Sequence, residues 1–497
     1  MSFAYRLMPA WPSLAWVACG HRRRPSIEVL HGSGVVRADD WFGEVVWDAP
    51  YEAAAFDQTD LVYGSGARKR DGGVTFVSAS HTMDRLVWSS DGETFWVSNS
   101  LPALLAVSDT TVDPVYPHYP RDFTTMTLGL SEYEREVAAT SPASRTVRLL
   151  YHDNLRLDEH GLQVVAKPTI ERDLSTYASY RRFLEAALQR CAANMADARR
   201  RQPYAWMGTV STGFDSPTAA ALARAAGLNE ALTITSARGG ASDSGDAIAE
   251  YLGVALHRVA RDAWRATAFP EVPFLAADAK GEDVYFRGAE SLLRGRVLLT
   301  GYGAGAWARR EAPLTEIRRG DQSGLSLTEY RLWAGFINMP LPTFGLRSGG
   351  GIYRVSLSDE MQAWARPRSY DKPFCRRVLT EAGVPDGLYA TENKAASVLL
   401  FDRRSFLSET SLADFEAYLA RLRGTNRAEV FGQQLRTRAR SLAARTVVEG
   451  AGRLPGAFAH RLRHSGRLNE TAYQDARYDY LFAWATEHAV ARYRQTV

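Results

Sequence analysis

Tyr204-Ala205-Trp206-Met207-Gly208-Thr209-Val210 runs directly into Ser211-Thr212-Gly213-Phe214-Asp215-Ser216-Pro217, and the reading of this junction decides the fold. The first seven residues are a continuous strand-like run. Residues 217–226 are an alanine-rich helix. In an open parallel sheet, ligands bind at the carboxyl ends of strands, where such a loop would lie. Gly213 lets a ligand approach the backbone closely. Ser211, Thr212 and Ser216 offer hydroxyl donors, and a helix N-terminus adds N–H groups and positive dipole. Pro217 suits a first helical turn, where its missing N–H has no partner to lose. An acid beside a phosphate is unfavourable unless a cation intervenes, which makes Asp215 a natural Mg²⁺ ligand. On these residues alone, an ordinary strand-to-helix turn capped by Asp215 and Ser216 explains the segment equally well. The loop is not a Walker A motif, because it lacks the lysine and the glycine spacing.

Outward from the junction the pattern repeats. Residues 232–236, 254–259 and 297–300 read as further buried strands, and 246–252 as a helix. Strands alternating with helices predict an α/β, doubly wound parallel sheet. Upstream, Tyr177, Tyr180, Leu184, Leu188, Cys191 and Met195 recur at helical spacing within 174–199. Before about residue 168 the chain reads as mostly β. Candidate strands at 74–77, 85–88, 94–97 and 145–150 alternate with turns such as Asp71-Gly72-Gly73 and Ser89-Ser90-Asp91-Gly92. Asn99-Ser100-Leu101-Pro102 opens a short helix. Beyond residue 405 the chain is helical, with Ser411 as an N-cap ahead of Phe415, Leu419 and Leu422. The glycine-rich stretch 345–351 is expected to be a mobile loop. Two domains follow, 1–168 and 169–497, with 405–497 as the helical part of the second.

Composition bounds the function classes. Of 497 residues, 45% are hydrophobic and 23% charged, ordinary values for a globular protein. Sixty basic residues against 56 acidic give +4, too weak an excess for a nucleic-acid surface. The run Arg199-Arg200-Arg201 reads as a solvated helix end. Cys19, Cys191 and Cys375 show neither metal spacing nor an even count for disulfides, which fits a reducing cytoplasm. The apolar segment 8–20 contains Pro9 and Pro12 and is too short for a span. Neither nucleic acid nor membrane is an expected partner.

Ser211-Thr212-Gly213-Phe214-Asp215-Ser216 resembles the Ser-Gly-Gly-x-Asp-Ser pyrophosphatase loop of the asparagine synthetase superfamily. Asp243, Ala247, Ala249 and Leu252-Gly253 are similar to that family's second βα unit, and His257 matches a histidine common there. The run 297–305, with Gly301-Tyr302-Gly303-Ala304-Gly305, falls where the family has its second glycine-rich loop. Tyr370-Asp371-Lys372-Pro373 and Glu381-Ala382-Gly383-Val384-Pro385, ending at Lys394, resemble the closing segment. Asp84-Arg85 through 96–105 resembles the glutaminase-type domain that precedes these synthetases.

The resemblance implies an N-terminal Ntn-like β-sandwich of the α+β class, followed by a PP-loop ATP pyrophosphatase domain. It implies ATP and Mg²⁺, and an ATP-dependent carbon–nitrogen ligase that adenylates a carboxylate, releases pyrophosphate and forms an amide. A small-molecule or peptide carboxylate and an amine are the expected substrates. β-Lactam synthetases and lasso-peptide cyclases are the nearest functional models, and a homodimer or a partner biosynthetic protein is the expected assembly. ATP would rest on Ser211, Thr212, Gly213, Asp215, Ser216, Ser236, Gly301 and Gly303, with Asp215 on the metal. Tyr302 stands where asparagine synthetase has Glu and β-lactam synthetase has Tyr. Glu329 is its expected carboxylate partner, and Lys394 the family's catalytic lysine.

Two departures stand out. The glutaminase domain normally has a cysteine nucleophile at its mature N-terminus, whereas here Ser2 follows Met1 and the nearest cysteine is Cys19. Glutaminase activity is therefore expected to be lost, and an amine other than glutamine-derived ammonia becomes the nucleophile. The second loop also continues with Gly305-Ala306 where the family has a metal-binding acid. Asp283 or Glu311 would have to substitute, or the protein binds nucleotide as a scaffold without turnover. Thiolation, another use of such a loop, lacks a cysteine near the site.

Overall fold

The computed structural model describes residues 1–140, 145–308, 317, 321–348, 351–367, 371–390, 394–399, 406–452, 468, 471–472 and 475–495. Short strands with inward apolar side chains build two facing sheets in the first 165 residues. The larger runs, in spatial order, Ser2–Leu7, Ser26–His31, Trp16–His21, Thr94–Ser98, Leu86–Ser90, Val147–Leu150 and Glu136–Val137. Its first pair is parallel and the rest are antiparallel. The second sheet orders Gly161–Val165, Asn154–Asp158, Gly73–Val77, Val62–Arg70, Trp41–Trp47 and Val36–Arg37, all antiparallel. Trp16, Ile27, Val97 and Leu150 of one sheet meet Phe42, Ala67, Phe76 and Leu155 of the other in a shared apolar layer.

The helix Tyr177–Met195 leads into the second architecture. Ala205–Thr209, Glu230–Ile234, Ala255–Val259, Arg296–Thr300 and Ile337–Pro340 form a five-stranded, wholly parallel sheet. Its spatial order is third, second, first, fourth, fifth. The fifth strand is an addition to the four read from the sequence. Asn338 and Pro340 disguise it, although all four of its residues are buried. At a sheet edge a proline costs no ladder bond on its open side.

The two architectures share a core. Trp11, Leu14, Leu101 and Leu104 pack in one apolar cluster with Leu184, Leu188, Phe482 and Tyr493. The Trp11 indole donates to the Tyr493 carbonyl at 2.9 Å. Buried Arg331, from the helix Leu327–Ala334, pairs with Glu44 at 2.8 Å and Asp84 at 2.8 Å across the junction. The Met83 carbonyl accepts the Thr328 hydroxyl at 2.8 Å. The Met83 side chain lies beside Gly303 and Gly324.

The helices Glu409–Thr425, Arg427–Gly452 and Leu481–Arg494 follow. Phe415, Leu419 and Trp484 bury against Leu275 and Ala276 of the helix Val272–Asp278. The expected cap Ser411 is corrected to Ser408, whose Oγ accepts the Ser411 N–H at 3.4 Å. Ser411 lies one turn in, and its hydroxyl donates to buried Glu271 at 2.6 Å. In the stretch 345–351, Gly345 takes a left-handed φ of 72°, Leu346–Ser348 form a tight turn, and Gly351–Val355 begin a helix. Among the described residues no helix is long and apolar enough to cross a membrane.

Candidate functional site

The order of the parallel sheet fixes where a site belongs. The chain winds one way from the first strand to the second and third, and the other way to the fourth and fifth. The first strand, Ala205–Thr209, and the fourth, Arg296–Thr300, are neighbours in register. A crevice opens beyond the carboxyl ends of strands at such a reversal. The loops that follow these two strands are 211–216 and 301–305. A cavity of about 450 Å³ lies there, lined by Ser211, Gly213, Asp215, Ser216, Gly301 and Tyr302 among others.

The first loop is held open. Asp243, buried beyond the second strand, accepts both the Thr212 N–H at 3.2 Å and the Thr212 hydroxyl at 2.6 Å. Ser211 Oγ takes the Gly213 N–H at 3.2 Å and meets Ser216 Oγ at 3.1 Å. The helix Asp215–Ala223 begins without a side-chain cap, and Phe214, Asp215 and Ser216 at its start line the cavity. A Cβ on Gly213 would meet only Ser211 Oγ, at 3.4 Å. That space is free for a ligand. The second loop instead presses on the first. A Cβ on Gly301 would lie 2.4 Å from the Asp215 carbonyl carbon, so only glycine fits.

Charge is concentrated around Asp215. Lys372 Nζ donates to its Oδ1 at 2.5 Å, and about a third of the Asp215 side chain remains exposed. Burial pushes the Asp215 carboxyl above the usual carboxylate range, Lys372 opposes that shift, and the negative charge of Asp321 adds to it. Asp321 itself lines the cavity. Thr300 also lines the cavity, and its hydroxyl is buried without a hydrogen-bond partner among the described residues. The opposite flank is apolar, formed by Val210, Leu232, Ile234 and Phe286.

Lys394 lies in the lining and donates to the Ser242 carbonyl at 3.0 Å. The strip that follows it is tied across the mouth. The Ala395 carbonyl accepts the Arg238 N–H at 2.8 Å, and Arg261 donates to the Ala396 and Ser397 carbonyls at 2.8 and 2.9 Å. The Val398 N–H reaches the Glu282 carbonyl at 2.9 Å.

Tyr302 has a carboxylate partner, but it is Asp283 rather than Glu329. The Tyr302 hydroxyl lies 3.1 Å from Asp283 Oδ1 and 2.8 Å from the Tyr285 hydroxyl. Asp283 Oδ2 accepts the Gly324 N–H at 2.9 Å and the Ser326 hydroxyl at 2.7 Å, which fixes its plane. Burial, then the Asp283 charge, lifts the Tyr302 hydroxyl well above its ordinary value. Tyr302 therefore keeps its proton and acts as a donor toward Asp283.

The expected pairing of Tyr302 with Glu329 is thus corrected. Glu329 is buried outside this cavity, accepting from the Ser100 hydroxyl at 2.7 Å, the Tyr493 hydroxyl at 2.7 Å and the Trp333 indole at 2.9 Å. Burial raises its carboxyl, and those three donors hold it down.

Of the other expected ligand residues, Thr212 spends its hydroxyl on Asp243 and does not line the cavity. Ser236 pairs through its backbone with Ser242 outside the lining. Gly303, at a left-handed φ of 78°, turns the second loop beside Thr343 and Met83. Asp283, considered as a metal substitute, is engaged with Tyr302. Glu311, Tyr370 and residues 391–393 lie outside the described residues. Gly305 lines the cavity without a side chain to bind metal. Among the described residues no three His, Cys, Asp or Glu gather to hold a metal ion.

At the N-terminus, Ser2 is exposed on the edge strand, its N–H bonded to the Pro25 carbonyl at 2.7 Å. Cys19 is half-buried, and burial followed by the nearby Glu28 charge pushes its thiol up to about 11. A thiol raised in this way is not an activated nucleophile.

Thr300 and Asp321 are site residues that the sequence did not mark; Asp283 was expected only as a substitute metal ligand, and Lys372 only as part of the closing segment. No family model matches the chain, and no curated protein matches its sequence.

Proposed function

We propose that the chain is an ATP-dependent amide-forming ligase of the asparagine synthetase and β-lactam synthetase type. In this reading the N-terminal sandwich is a glutaminase-type Ntn layer without its nucleophile, and the parallel sheet is a PP-loop pyrophosphatase fold. One observation carries the reading. Two glycine loops converge at the sheet reversal, where an uncapped helix start faces free space over Gly213.

Phosphate oxygens suit the backbone N–H groups of Asp215 and Ser216 at the helix start, together with Lys372 and Lys394. A planar base suits the apolar flank of Leu232, Ile234 and Phe286. Mg²⁺ at nucleotide sites commonly rests on one or two carboxylates plus phosphate oxygens, and Asp215 with Asp321 fits that sparse set. The bound ion would screen the triphosphate from those acids.

A substrate carboxylate oxygen attacks the α-phosphorus, and the bond to pyrophosphate breaks. An amine then attacks the acyl carbon, and AMP leaves. The amine must lose a proton, and Asp283, reached through the Tyr302 hydroxyl, is the base within the site. A buried Tyr with a raised pKa relays a proton better than it holds a negative charge.

The test is pyrophosphate release with candidate carboxylic acids. Wild-type protein is expected to release pyrophosphate, and Asp215→Ala and Lys394→Ala to lose that activity. Release unchanged in both variants would refute the site.

A second reading, a nucleotide-binding scaffold, is favoured by Gly305 in the lining where the family carries an acid. Tight ATP binding with no release for any acid would select it.

A further inference from the structure

A second cavity, of about 650 Å³, lies beside the wall that carries Asp283. His118 and Arg121 line it from the N-terminal half, Lys280 from the turn after the helix Val272–Asp278, and Arg440 from the helix Arg427–Gly452. Asp479 is the acid of that lining, and its Oδ2 accepts the Thr437 hydroxyl at 2.7 Å and the Gln433 amide at 3.4 Å. Arg121 pairs with Asp122 at 2.9 Å. His118 packs edge-on against Tyr116 and lies within the fields of Arg121, Asp122 and Arg440. Burial, reinforced by the two arginines, holds its imidazole below the ordinary value. Four basic side chains thus converge on one concavity in a chain whose overall charge is only +4.

The two cavities share a partition. Lys280 faces the second, and Asp283, three residues on, faces the nucleotide cavity. Buried Asp278 fixes the turn between them by accepting the Lys280 and Gly281 N–H groups at 2.9 and 2.8 Å. Gln322 spans the partition. Its amide donates to Glu282, and its carbonyl oxygen accepts the Thr124 hydroxyl at 3.4 Å. The flanking residues Asp321 and Ser323 line the nucleotide cavity, whereas Thr124 lines the second.

We propose that the second cavity binds an anionic arm, a carboxylate or phosphate group, of the molecule whose carboxyl is activated across the partition. The proposal rests on the nucleotide-site reading for its role and on the basic lining for its chemistry. A concave surface with an excess of one sign of charge, here four basic side chains against Asp479, focuses its field and concentrates counter-ions. Arginine supplies planar donor pairs that match a carboxylate or phosphate. An arm held beside Lys280 leaves the rest of the molecule within a few residues' reach of Asp283 and Tyr302.

Calorimetric titration of the full chain with tricarballylate and, separately, inorganic phosphate tests this without knowledge of the substrate. A fluorescent ATP analogue is titrated in parallel. At least one anion is expected to bind wild-type protein and to draw a proton onto His118. Binding is expected to weaken at least tenfold in Arg121→Glu/Arg440→Glu, with the ATP analogue bound as in wild type. The stronger of the two anions identifies the arm. Absence of binding by both, equal binding by the double variant, or a parallel loss of the ATP analogue would overturn the proposal. Charge-sensitive anion binding with no ATP-analogue binding by wild type would overturn the nucleotide reading and leave the anion site standing.

Discussion

Two glycine-to-alanine changes separate space reserved for a ligand from space filled by the protein. At Gly301 the new Cβ would lie 2.4 Å from the Asp215 carbonyl carbon, 2.6 Å from its Cβ and 2.7 Å from its oxygen. Carbon atoms sit comfortably at about 3.5–4.0 Å, so the two loops must part by roughly 1 Å. Overpacking of that kind costs about 1–3 kcal/mol. At about 2–4 °C per kcal/mol, the melting temperature falls by several degrees. A displacement of ~1 Å at reacting groups also costs on the order of 10²-fold in rate. At Gly213 the nearest atom to the new Cβ is Ser211 Oγ at 3.4 Å, an ordinary contact. The expected stability change is below about 1 kcal/mol. The methyl instead fills the space assigned to phosphate, and ATP affinity should fall at least about tenfold, ~1.4 kcal/mol. Thermal melting together with titration of a fluorescent ATP analogue reads both effects. Wild-type affinity in Gly213→Ala would show that phosphates do not lie over this loop. A wild-type melt for Gly301→Ala would show that the loops do not meet as described.

Further outcomes concern charge. Asp283→Asn should leave pyrophosphate release intact and slow amide formation by roughly 10²–10⁴. Glu329→Gln should leave both steps alone while lowering stability by about 1–3 kcal/mol, because an amide cannot accept from all three donors. The reverse pattern would restore Glu329 as the base. Lys372→Met removes the cation that holds the Asp215 carboxyl down, so the acid limb of pyrophosphate release should move to higher pH. An unmoved limb would mean that Asp215 does not govern the step. Burial raises Asp278 from 3.8 to about 6, a cost of roughly 3 kcal/mol for keeping it ionised. The folded chain holds this proton more tightly than the unfolded chain. The penalty is therefore absent below about pH 4, grows from pH 4 to 6 and is complete above. Asp278→Asn should have a higher urea midpoint than wild type at pH 7.5 and an equal one at pH 4; a pH-independent difference would contradict the burial argument.

What the sequence disclosed was what local periodicity encodes. The helix Asp246–Leu252 and the strand ahead of the Ser211 loop follow from apolar spacing and from glycine and proline punctuation. The Ile337–Pro340 strand was hidden because a short buried edge run with Asn338 and Pro340 has no strand period. At the site, backbone loops were legible and side-chain partnerships were not. Lys372 reaches Asp215 across 157 positions, and no local pattern marks such a pairing. Glu329 reads as the partner of Tyr302 because the family resemblance asks for a Glu downstream of that tyrosine. Its donors, Ser100 and Tyr493, come from positions 229 earlier and 164 later. Asp283 was visible as a lone acid, but its orientation by Gly324 and Ser326 arises only on folding.

The Trp11 bond to Tyr493, with the Tyr493 hydroxyl on Glu329, carries a consequence for synthesis of the chain. A ribosome delivers the sandwich strands long before the helix Leu481–Arg494 emerges. Until then the apolar face of Leu101 and Leu104 lacks the cover of Phe482 and Tyr493, and buried Glu329 lacks one of its donors. The nascent protein must wait with that face open, and a chain cut short before residue 481 never closes it. Quality-control proteases would thus encounter an unfinished product through a patch at the opposite end of the sequence from the missing part.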